Sequence, residues 1–348
     1  MSHAHLSIDL NAVAANWHAL DSRSAKDVET GAVVKADGYG LGADRVAAKL
    51  AAEGARTFFV AQASEGHAVR RAVGDDPDIF VFSGHLDGDT DLTSSNALIP
   101  LLNSPEQITR HLERIGGHPF GIQLDTGMNR LGLEPDDWNA LKGGILEAGP
   151  RLVMSHLACA DEPEHPMNLS QLEIFRELTD GVGAKRSLAA TGGTLLGPAF
   201  HFDMTRPGVG LYGGLPFSEA TAVVSLSAPI IQIREVRPFE TVGYGNTWKA
   251  TITSTIATIS AGYADGLIRA MGERAQVYAG GVPCPVVGRV SMDLITVDVT
   301  HLNNLPESVD ILSPDYGVDA LAQAAGTIGY EILTSLGHRY ARRYVGEV

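Results

Sequence analysis

The sequence predicts an α/β protein, a (β/α)8 TIM-like barrel followed by a mainly β domain. Eight short apolar runs recur along the first two-thirds of the chain, and stretches whose apolar residues have helical spacing lie between several of them. After about residue 225 this pattern gives way to a Ser/Thr-rich alternation of polar and apolar residues, which is typical of antiparallel strands. We therefore expect a barrel over residues 9–225 and a mainly β domain over residues 226–348.

Each apolar run predicts one strand, and its alternation with helical stretches predicts βαβ units with a parallel sheet. The eight runs are Gly31–Lys35, Thr57–Ala61, Asp78–Phe82, Ala97–Leu102, Phe120–Leu124, Leu152–His156, Arg186–Ala189 and Pro207–Tyr212. The helical stretches include Ala43–Glu53, Ser64–Arg71, Pro105–Ile115 and Asn168–Thr179. Eight units close a barrel, whereas an open doubly wound sheet would lack this regular count.

Five polar residues are predicted at or just past strand ends, which is the face where such barrels carry their chemistry. They are Lys35, Arg130, His156, Thr191 and Arg206. In the second domain, Pro and Gly residues separate the alternating segments and indicate short antiparallel strands and turns. Those segments are Ala228–Val236, Thr251–Ile259, Gln276–Val287 and Leu294–Val299.

Composition favours a protein that acts on small molecules. The chain has 348 residues, of which 44% are hydrophobic, so it can bury sizeable cores. Its formal net charge of −15, without a sustained Lys/Arg cluster, argues against nucleic acid and anionic membranes as partners. Cys159 and Cys284 are too few for a disulfide framework, and no apolar run is long enough to span a membrane. The first residues lack the features of a secretory signal, and we expect a cytoplasmic protein.

The segment from Ala32 to Gly42 directs Lys35 out of an apolar strand into a glycine-rich turn. A buried ammonium is costly, and the neutral amine is a nucleophile that can form a Schiff base with a carbonyl. Glycines let the backbone approach a ligand, and Tyr39 offers a hydroxyl that could bind phosphate. Lysine and phosphate contacts together indicate pyridoxal phosphate. A lysine that only snorkels from a strand end, beside glycines that only form the turn, is the alternative.

This segment resembles the cofactor-lysine segment of alanine racemases, and four later segments resemble that family's other motifs in order. Residues 125–132 (DTGMNRLG) resemble the substrate-arginine motif, residues 206–213 (RPGVGLYG) the cofactor-arginine motif and residues 262–266 (GYADG) the catalytic-tyrosine motif. Residues 287–293 (VGRVSMD) and Tyr330-Glu331 follow at a suitable distance. On these ordered motifs, the chain is identified as a member of the family.

The resemblance implies a fold type III isomerase that interconverts L- and D-alanine by a two-base mechanism. Lys35 would hold pyridoxal phosphate and act as one base, and Tyr263 would act as the second base on the opposite face of the substrate. His156 would partner Tyr263, as a cationic or a hydrogen-bonding neighbour, and would stack on the cofactor ring. Arg206 would face the pyridine nitrogen and leave it unprotonated, because guanidinium stays protonated.

The resemblance also implies the groups that hold cofactor and substrate. The phosphate ligands would be Tyr39, Thr191, Gly208, Val209 and Tyr330. In the family's usual pattern an Asn-Ser pair stands where this chain has Ala190-Thr191, so the hydroxyl is kept and the asparagine's hydrogen bonds are lost. Arg130 and the backbone amide of Met292 would bind the substrate carboxylate, since guanidinium forks suit carboxylates. Asp161 and Arg289 would line the entrance.

Gln123 marks a second departure from the family pattern. Many relatives carry there a carbamylated lysine that braces the substrate arginine, and a glutamine cannot be carbamylated. Either Arg130 is less fixed, or a small anion such as chloride lies between Gln123 and Arg130. The resemblance further implies a homodimer with shared active sites, pairing of residues 1–8 with the second domain, and D-alanine supply for peptidoglycan.

Metal sites and a nucleophilic pair are alternative interpretations of some of these residues. Two groups of residues could bind a metal, one running from His156 through Asp161 to His165 and one formed by His3 and His5, but their spacing fits no metal signature, and we expect no metal. Ser155 and His156 cannot form a nucleophilic pair, because adjacent strand residues point to opposite faces.

Three other functions compete with alanine racemisation. A barrel that binds pyridoxal phosphate without catalysis would need no second domain. A fold-related decarboxylase is expected to place an acidic residue, not Arg206, at the pyridine nitrogen. A racemase of broader specificity is a further alternative, because Ala190, Thr191 and Gln123 depart from the family pattern.

Overall fold

The computed structural model describes residues 3–347. The chain divides into two compact units. One contains Val13–Leu211 and Pro216–Glu219, and the other contains the residues up to Ala12, Tyr212–Leu215 and Ala220–Glu347. Met1, Ser2 and Val348 lie outside the described residues. The domain predictions for residues 1–8 and 226–348 are therefore compared with the structure only over residues 3–8 and 226–347.

The first unit is a barrel of parallel strands. Its strands are Glu29–Thr30, Ala32–Val33, Thr57–Val60, Asp78–Val81, Ile99–Leu102, Gly121–Gln123, Leu152–Met154, Lys185–Ser187 and Met204–Thr205. From Ala32–Val33 to Lys185–Ser187 each strand pairs in parallel with the next. Met204–Thr205 pairs in parallel with Glu29–Thr30, and the Asp203 and Arg206 amides donate to carbonyls of the segment that begins at Lys185. The predicted fold class is confirmed.

Helices alternate with these strands. They are Leu10–Asp21, Lys35–Tyr39, Ala43–Glu53, Ala63–Val73, Thr90–Ser95, Pro105–Ile115, Pro135–Glu147, Pro166–Thr179 and Thr191–Leu195, with a 3-10 turn at Pro198–Phe200. The four predicted helical stretches fall within this set. Pro105–Ile115 begins where the sequence dictates, because the Ser104 hydroxyl accepts from the Gln107 amide and proline suits the first helical position.

The predicted strand at Pro207–Tyr212 is wrong. The strand at this place is Met204–Thr205, and Val209–Tyr212 forms a 3-10 turn. Pro207 has no N–H to donate, and the Gly208 and Gly210 amides bind a side chain rather than a neighbouring strand. Leu211 is fully buried, which accounts for an apolar residue at this position, and a buried apolar residue does not have to lie in a strand.

The second unit is mainly β. Its strands are His5–Asp9, Val224–Val236, Thr241–Val242, Trp248–Lys249, Ser254–Ile259, Gln276–Ala279, Val282–Pro285, Ile295–Asp298, Ser308–Leu312 and Ala341–Val345. Its helices are Val318–Ala325 and Gly329–Ser335, and 3-10 turns lie at Tyr244–Asn246, Tyr263–Asp265 and Arg269–Arg274. His5–Asp9 pairs antiparallel with Val224–Val236 and parallel with Ala341–Val345.

The long strand Val224–Val236 organises this unit. It pairs with His5–Asp9 and Ser308–Leu312 through its first half and with Ser254–Ile259 through its second half. A register shift between Ile230 and Gln232 separates the two halves. None of the helices of residues 3–347 has the length and apolarity needed to cross a membrane.

Candidate active site

Lys35 begins a left-handed turn just after the barrel strand Ala32–Val33. Ala36, Asp37, Gly38 and Tyr39 all have φ between 52° and 62°. Left-handed backbone costs roughly 1–2 kcal/mol for each non-glycine residue, so the turn needs outside support. The Glu65 carboxylate accepts from the Ala36 amide at 2.8 Å, and the Asp37 carboxylate accepts from the Ala43 amide at 2.9 Å. These contacts fix the backbone that presents the lysine.

The surroundings of Lys35 favour its neutral amine. Its Nζ lies 5.7 Å from the centroid of the Phe82 ring. Burial lowers the pKa of this amine, the positive charges of Arg130 and Arg206 lower it further, and only the Glu65 carboxylate opposes them. A larger fraction of neutral amine makes more of Lys35 available to attack a carbonyl or to accept a proton.

Arg206 is a buried cation held by neutral oxygens, with only 1% of its surface exposed. Its Nε donates to the Ser187 hydroxyl at 2.8 Å, and its Nη2 donates to the Ser155 and Leu188 carbonyls at 2.6 and 3.2 Å. Burial lowers the pKa of this guanidinium to about 9, so it remains mostly protonated at neutral pH. The site therefore holds a fixed positive charge without a carboxylate partner.

His156 follows the strand Leu152–Met154 by two residues and is partly buried. Burial and the positive charges of Arg206, Arg130 and Lys35 lower the pKa of this imidazole to about 3. A neutral ring at pH 7 follows, since protonation would add a fourth cation to the group. Of the two expected ways for His156 to assist Tyr263, the cationic one does not fit, and a neutral hydrogen-bonding ring remains.

Hydroxyl and amide groups meet at one place beside this lysine-bearing turn. The Thr191 hydroxyl accepts from the Gly208 amide at 3.0 Å and from the Gly210 amide at 3.2 Å. A Cβ at residue 208 would clash with the Tyr39 hydroxyl oxygen, so a larger residue there would displace the tyrosine side chain. Thr191 is 2% exposed and Tyr39 is 5% exposed. The Thr191 and Tyr39 hydroxyls suit the oxygens of a phosphate group, and the residues present fit pyridoxal phosphate.

The loop that carries Arg130 is tied to the end of its strand. The Asp125 carboxylate accepts from the Gly127 and Met128 amides at 2.7 and 2.9 Å, and the Gln123 side-chain amide donates to the Leu131 carbonyl at 3.0 Å. Arg130 itself is exposed, and its guanidinium makes no hydrogen bond or ion pair to any residue between 3 and 347. It can therefore receive a carboxylate from solution.

Gln171 is a buried polar residue beside the candidate site that the sequence motifs did not indicate. It is fully buried on the helix Pro166–Thr179. Its Nε2 donates to the Thr126 hydroxyl at 3.1 Å and to the His156 carbonyl at 2.9 Å, and its Oε1 accepts from the Ala158 amide at 2.8 Å. It thus holds together the loops that carry Arg130 and His156. A polar residue on the apolar face of this helix was the signal available in the sequence.

In the mainly β unit, Tyr263 and Met292 lie on two loops that touch. Tyr263 is 41% exposed and Met292 is 53% exposed. The Tyr263 amide donates to the Ser291 carbonyl at 3.0 Å, and the Ala264 amide donates to the Met292 carbonyl at 2.9 Å. A Cβ at residue 262 would lie 2.3 Å from the Met292 carbonyl oxygen, so Gly262 permits the contact.

The remaining predicted residues are distributed over both units. Asp161 is exposed in the barrel unit, and Val209 is buried there. In the mainly β unit Arg289 is exposed and packs along the backbone of Gly245, while Tyr330 lies on the helix Gly329–Ser335. Among residues 3–347, no three His, Cys, Asp or Glu side chains are grouped so that they could hold a metal ion.

Comparison with known proteins gives matches over nearly the whole chain. Residues 8–216 match the family model of the alanine racemase N-terminal domain, and residues 223–344 match that of the C-terminal domain. Alanine racemase of Cereibacter sphaeroides is 65% identical over 344 residues, with 99% of both chains covered. Alanine racemase of Dinoroseobacter shibae is 63% identical over 348 residues, with 100% of both chains covered.

Solved structures give the same match. The alanine racemase of Bartonella henselae, solved with covalently bound pyridoxal phosphate, has a TM-score of 0.93 and 36% identity. The biosynthetic alanine racemase of Pseudomonas aeruginosa has a TM-score of 0.93 and 35% identity. In both comparisons 99% of this chain and 100% of the other chain are covered.

Proposed function

The chain belongs to the alanine racemase family, and from this premise we infer that it interconverts L-alanine and D-alanine with pyridoxal phosphate as its cofactor. The observation that carries this inference is the position of Lys35, whose amine is shifted toward its neutral form close to the group of phosphate donors formed by Tyr39, Thr191 and Gly208. When bound, pyridoxal phosphate supplies an electron sink for the electrons left at the α-carbon.

We assign proton transfer to two bases. Lys35 holds the cofactor and moves the proton on one face of the α-carbon, and Tyr263 moves it on the opposite face. The Tyr263 phenol needs a partner to exchange its proton, and the neutral ring of His156 supplies a hydrogen bond. Two bases on opposite faces allow a proton to leave one side and return to the other, which inverts the carbon.

The other residues bind and orient. Arg130 and the Met292 amide bind the substrate carboxylate, and Asp161 and Arg289 line the entrance. The phosphate ligands are Tyr39, Thr191, Gly208, Val209 and Tyr330. Arg206 would face the pyridine nitrogen and leave it unprotonated when the cofactor is bound, since its guanidinium remains mostly protonated and the oxygens that it binds are neutral. This limits electron withdrawal and favours simple return of the proton over transamination.

We also propose that the barrel over residues 9–225 and the mainly β domain over residues 226–348 act together only in a homodimer. Tyr263 of one copy then serves Lys35 of the other. Large apolar side chains are exposed on the unit that carries Tyr263, which supports burial against a second copy. They include Ile231, Ile233, Tyr244, Ile252 and Met292. D-alanine supply for peptidoglycan and a cytoplasmic location stay predictions.

Alanine is expected to exchange its α-hydrogen with solvent and to racemise in the same experiment. The protein with pyridoxal phosphate is incubated in deuterated water with a panel of L-amino acids, and α-deuterium content and optical rotation are followed. We expect both signals to change for alanine, because the site releases and returns a proton at the α-carbon. We expect no change for the other amino acids, because the chain belongs to the alanine racemase family.

The same panel separates the competing functions. Comparable signals for several amino acids would favour a racemase of broader specificity, for which the departure at Ala190 and Thr191 is the supporting observation. No exchange with any amino acid would favour a non-catalytic binding protein. Release of carbon dioxide would favour a decarboxylase, which the neutral surroundings of Arg206 disfavour.

We propose that a chloride ion lies between Gln123 and Arg130. The Gln123 amide is 5% exposed and uses its Nε2 to hold the Leu131 carbonyl, so it offers no negative charge to Arg130. Within residues 3–347 the guanidinium has no carboxylate partner. An anion would supply the brace that many relatives obtain from a carbamylated lysine.

A crystal grown with bromide in place of chloride is expected to show an anomalous peak between Gln123 and Arg130. Bromide has the same charge as chloride and a similar size, and it scatters anomalously. A crystal grown with chloride and measured at the same wavelength serves as the control. A bromide crystal without a peak at this position would contradict the anion and leave Arg130 without a brace.

A further inference from the structure

Arg339 connects the two loops that carry Tyr263 and Met292. Its Nε lies 3.1 Å from Asp265 Oδ1, and its Nη1 lies 2.7 Å from Asp293 Oδ1. Asp265 ends the 3-10 turn that begins at Tyr263, and Asp293 directly follows Met292. One guanidinium therefore bridges a carboxylate from each loop, and all of these residues belong to the mainly β unit.

Asp265 is held on every side. It is 4% exposed, its Oδ2 accepts from the Gly262 amide at 2.9 Å, and its carbonyl accepts from the Gly337 amide at 3.0 Å. A buried carboxylate is costly unless a cation and hydrogen bonds compensate it. Arg339 is the cation that compensates Asp265, and it reaches Asp293 with the other edge of its planar fork.

A shift of either loop changes the position of the other. The backbones of Tyr263 and Ala264 are hydrogen-bonded to the Ser291 and Met292 carbonyls, and the space beside Gly262 is too small for a Cβ. Tyr263 itself is 41% exposed, so its ring depends on this backbone for its direction. The bridge through Arg339 thus connects the loop that carries the phenol with the loop that carries the Met292 amide.

We propose that Arg339 is a positioning residue for racemisation, acting through Asp265 and Asp293 on the Tyr263 phenol and the Met292 amide. This inference rests on the roles proposed above for those two groups. A guanidinium can satisfy two carboxylates from separate N–H groups in one plane, whereas the single ammonium of a lysine is a point charge that holds both less well. Arg339 has no contact with the reacting atoms in this role.

Turnover of the Arg339→Gln holoenzyme is expected to fall by roughly 10- to 100-fold, since small misplacements of catalytic groups have effects of this size. The two enantiomers have equal free energies, so kcat/KM must fall equally in both directions. The isotope effect of α-deuterated substrate separates a positioning role from a structural one. It should rise for the enantiomer whose proton Tyr263 removes, because that step becomes slower.

For the other enantiomer the isotope effect should fall. There Lys35 breaks the C–H bond, and the slower proton transfer at Tyr263 lets that first step approach equilibrium.

Asp293→Asn should show the same opposite changes in the two isotope effects with a smaller loss of turnover, since it leaves the buried pair of Asp265 and Arg339 intact. Arg339→Lys should be intermediate. Arg343→Gln is the matched control, an exposed arginine on the strand Ala341–Val345 for which turnover and both isotope effects should stay unchanged.

Three results would overturn the proposal. If Arg339→Gln and Asp293→Asn keep both isotope effects while Tyr263→Phe loses most of its turnover, the positioning role is wrong and the role of Tyr263 stands. If Tyr263→Phe keeps full turnover, the role of Tyr263 fails and the positioning role fails with it. Arg339→Gln could also lose activity because it unfolds, which its thermal unfolding would show. In that case Asp293→Asn decides, and unchanged isotope effects in that variant would contradict the proposal.

Discussion

Lys35→Ala is expected to abolish racemisation and the visible absorbance of bound pyridoxal phosphate. Loss of a positioned base alone removes about 100- to 10,000-fold of rate, and this variant also loses the group that holds the cofactor. Lys49 pairs with Glu53 on a helix and Lys185 pairs with Glu29 on a strand, so we expect neither to replace it. Absorbance spectra and the racemisation rate of the purified variant measure both effects.

Lys142→Ala is the matched control for this variant. Lys142 is exposed on the helix Pro135–Glu147 and binds only the Asn139 side chain, so its removal should leave colour and rate unchanged. Addition of a small primary amine to Lys35→Ala should restore some proton transfer without restoring the attachment. Activity like that of the unmodified protein in Lys35→Ala would end the assignment of the cofactor lysine.

Mixing Lys35→Ala subunits with Tyr263→Ala subunits is expected to restore activity. Each variant alone is nearly inactive, but if sites are shared across a two-fold dimer, a hybrid has one site with both bases and one site with neither. Random exchange makes about half of the dimers hybrids, so recovery should approach roughly a quarter of the unmodified rate. The rate is followed during subunit exchange and corrected for the residual activity of each variant.

Two controls make this result decisive. Differently tagged subunits show by native mass spectrometry that exchange has occurred. The double variant carrying both substitutions on one chain is also mixed with unmodified subunits. Its hybrids have no complete site if the two bases of a site come from different copies. They have one complete site if both bases come from the same chain. Verified exchange of the two single variants without activity above background would show that each site is built within one chain, and the shared-site dimer would be wrong.

Most of the barrel could be predicted because strand and helix signals are local. The apolar runs and the helical spacing each depend on neighbouring residues, and Pro105–Ile115 has both its cap and its proline in the sequence. The last strand could not be placed, because the run from Pro207 to Tyr212 reflects burial rather than strand pairing. The helices Val318–Ala325 and Gly329–Ser335 were not predicted, since both are short and follow the last alternating segment.

The candidate site could be predicted only where a motif marks it. Lys35 was identifiable from the strand before it and the glycines after it. Glu65, Gln171 and Arg339 were not, because their partners lie far away in the sequence and only the fold brings them together. The neutral state of His156 also depends on three cations that no local pattern relates to it.

The left-handed turn from Ala36 to Tyr39 has a consequence for the order in which the chain becomes competent. An isolated peptide of these residues would adopt right-handed or extended backbone instead. The turn needs Glu65 from the helix Ala63–Val73 and the amide of Ala43 before it can persist. Lys35 therefore acquires its direction only after these helices have docked. In a chain that has not reached that stage Lys35 is an ordinary solvated lysine, so its reactivity depends on the docking of these helices as well as on its own sequence.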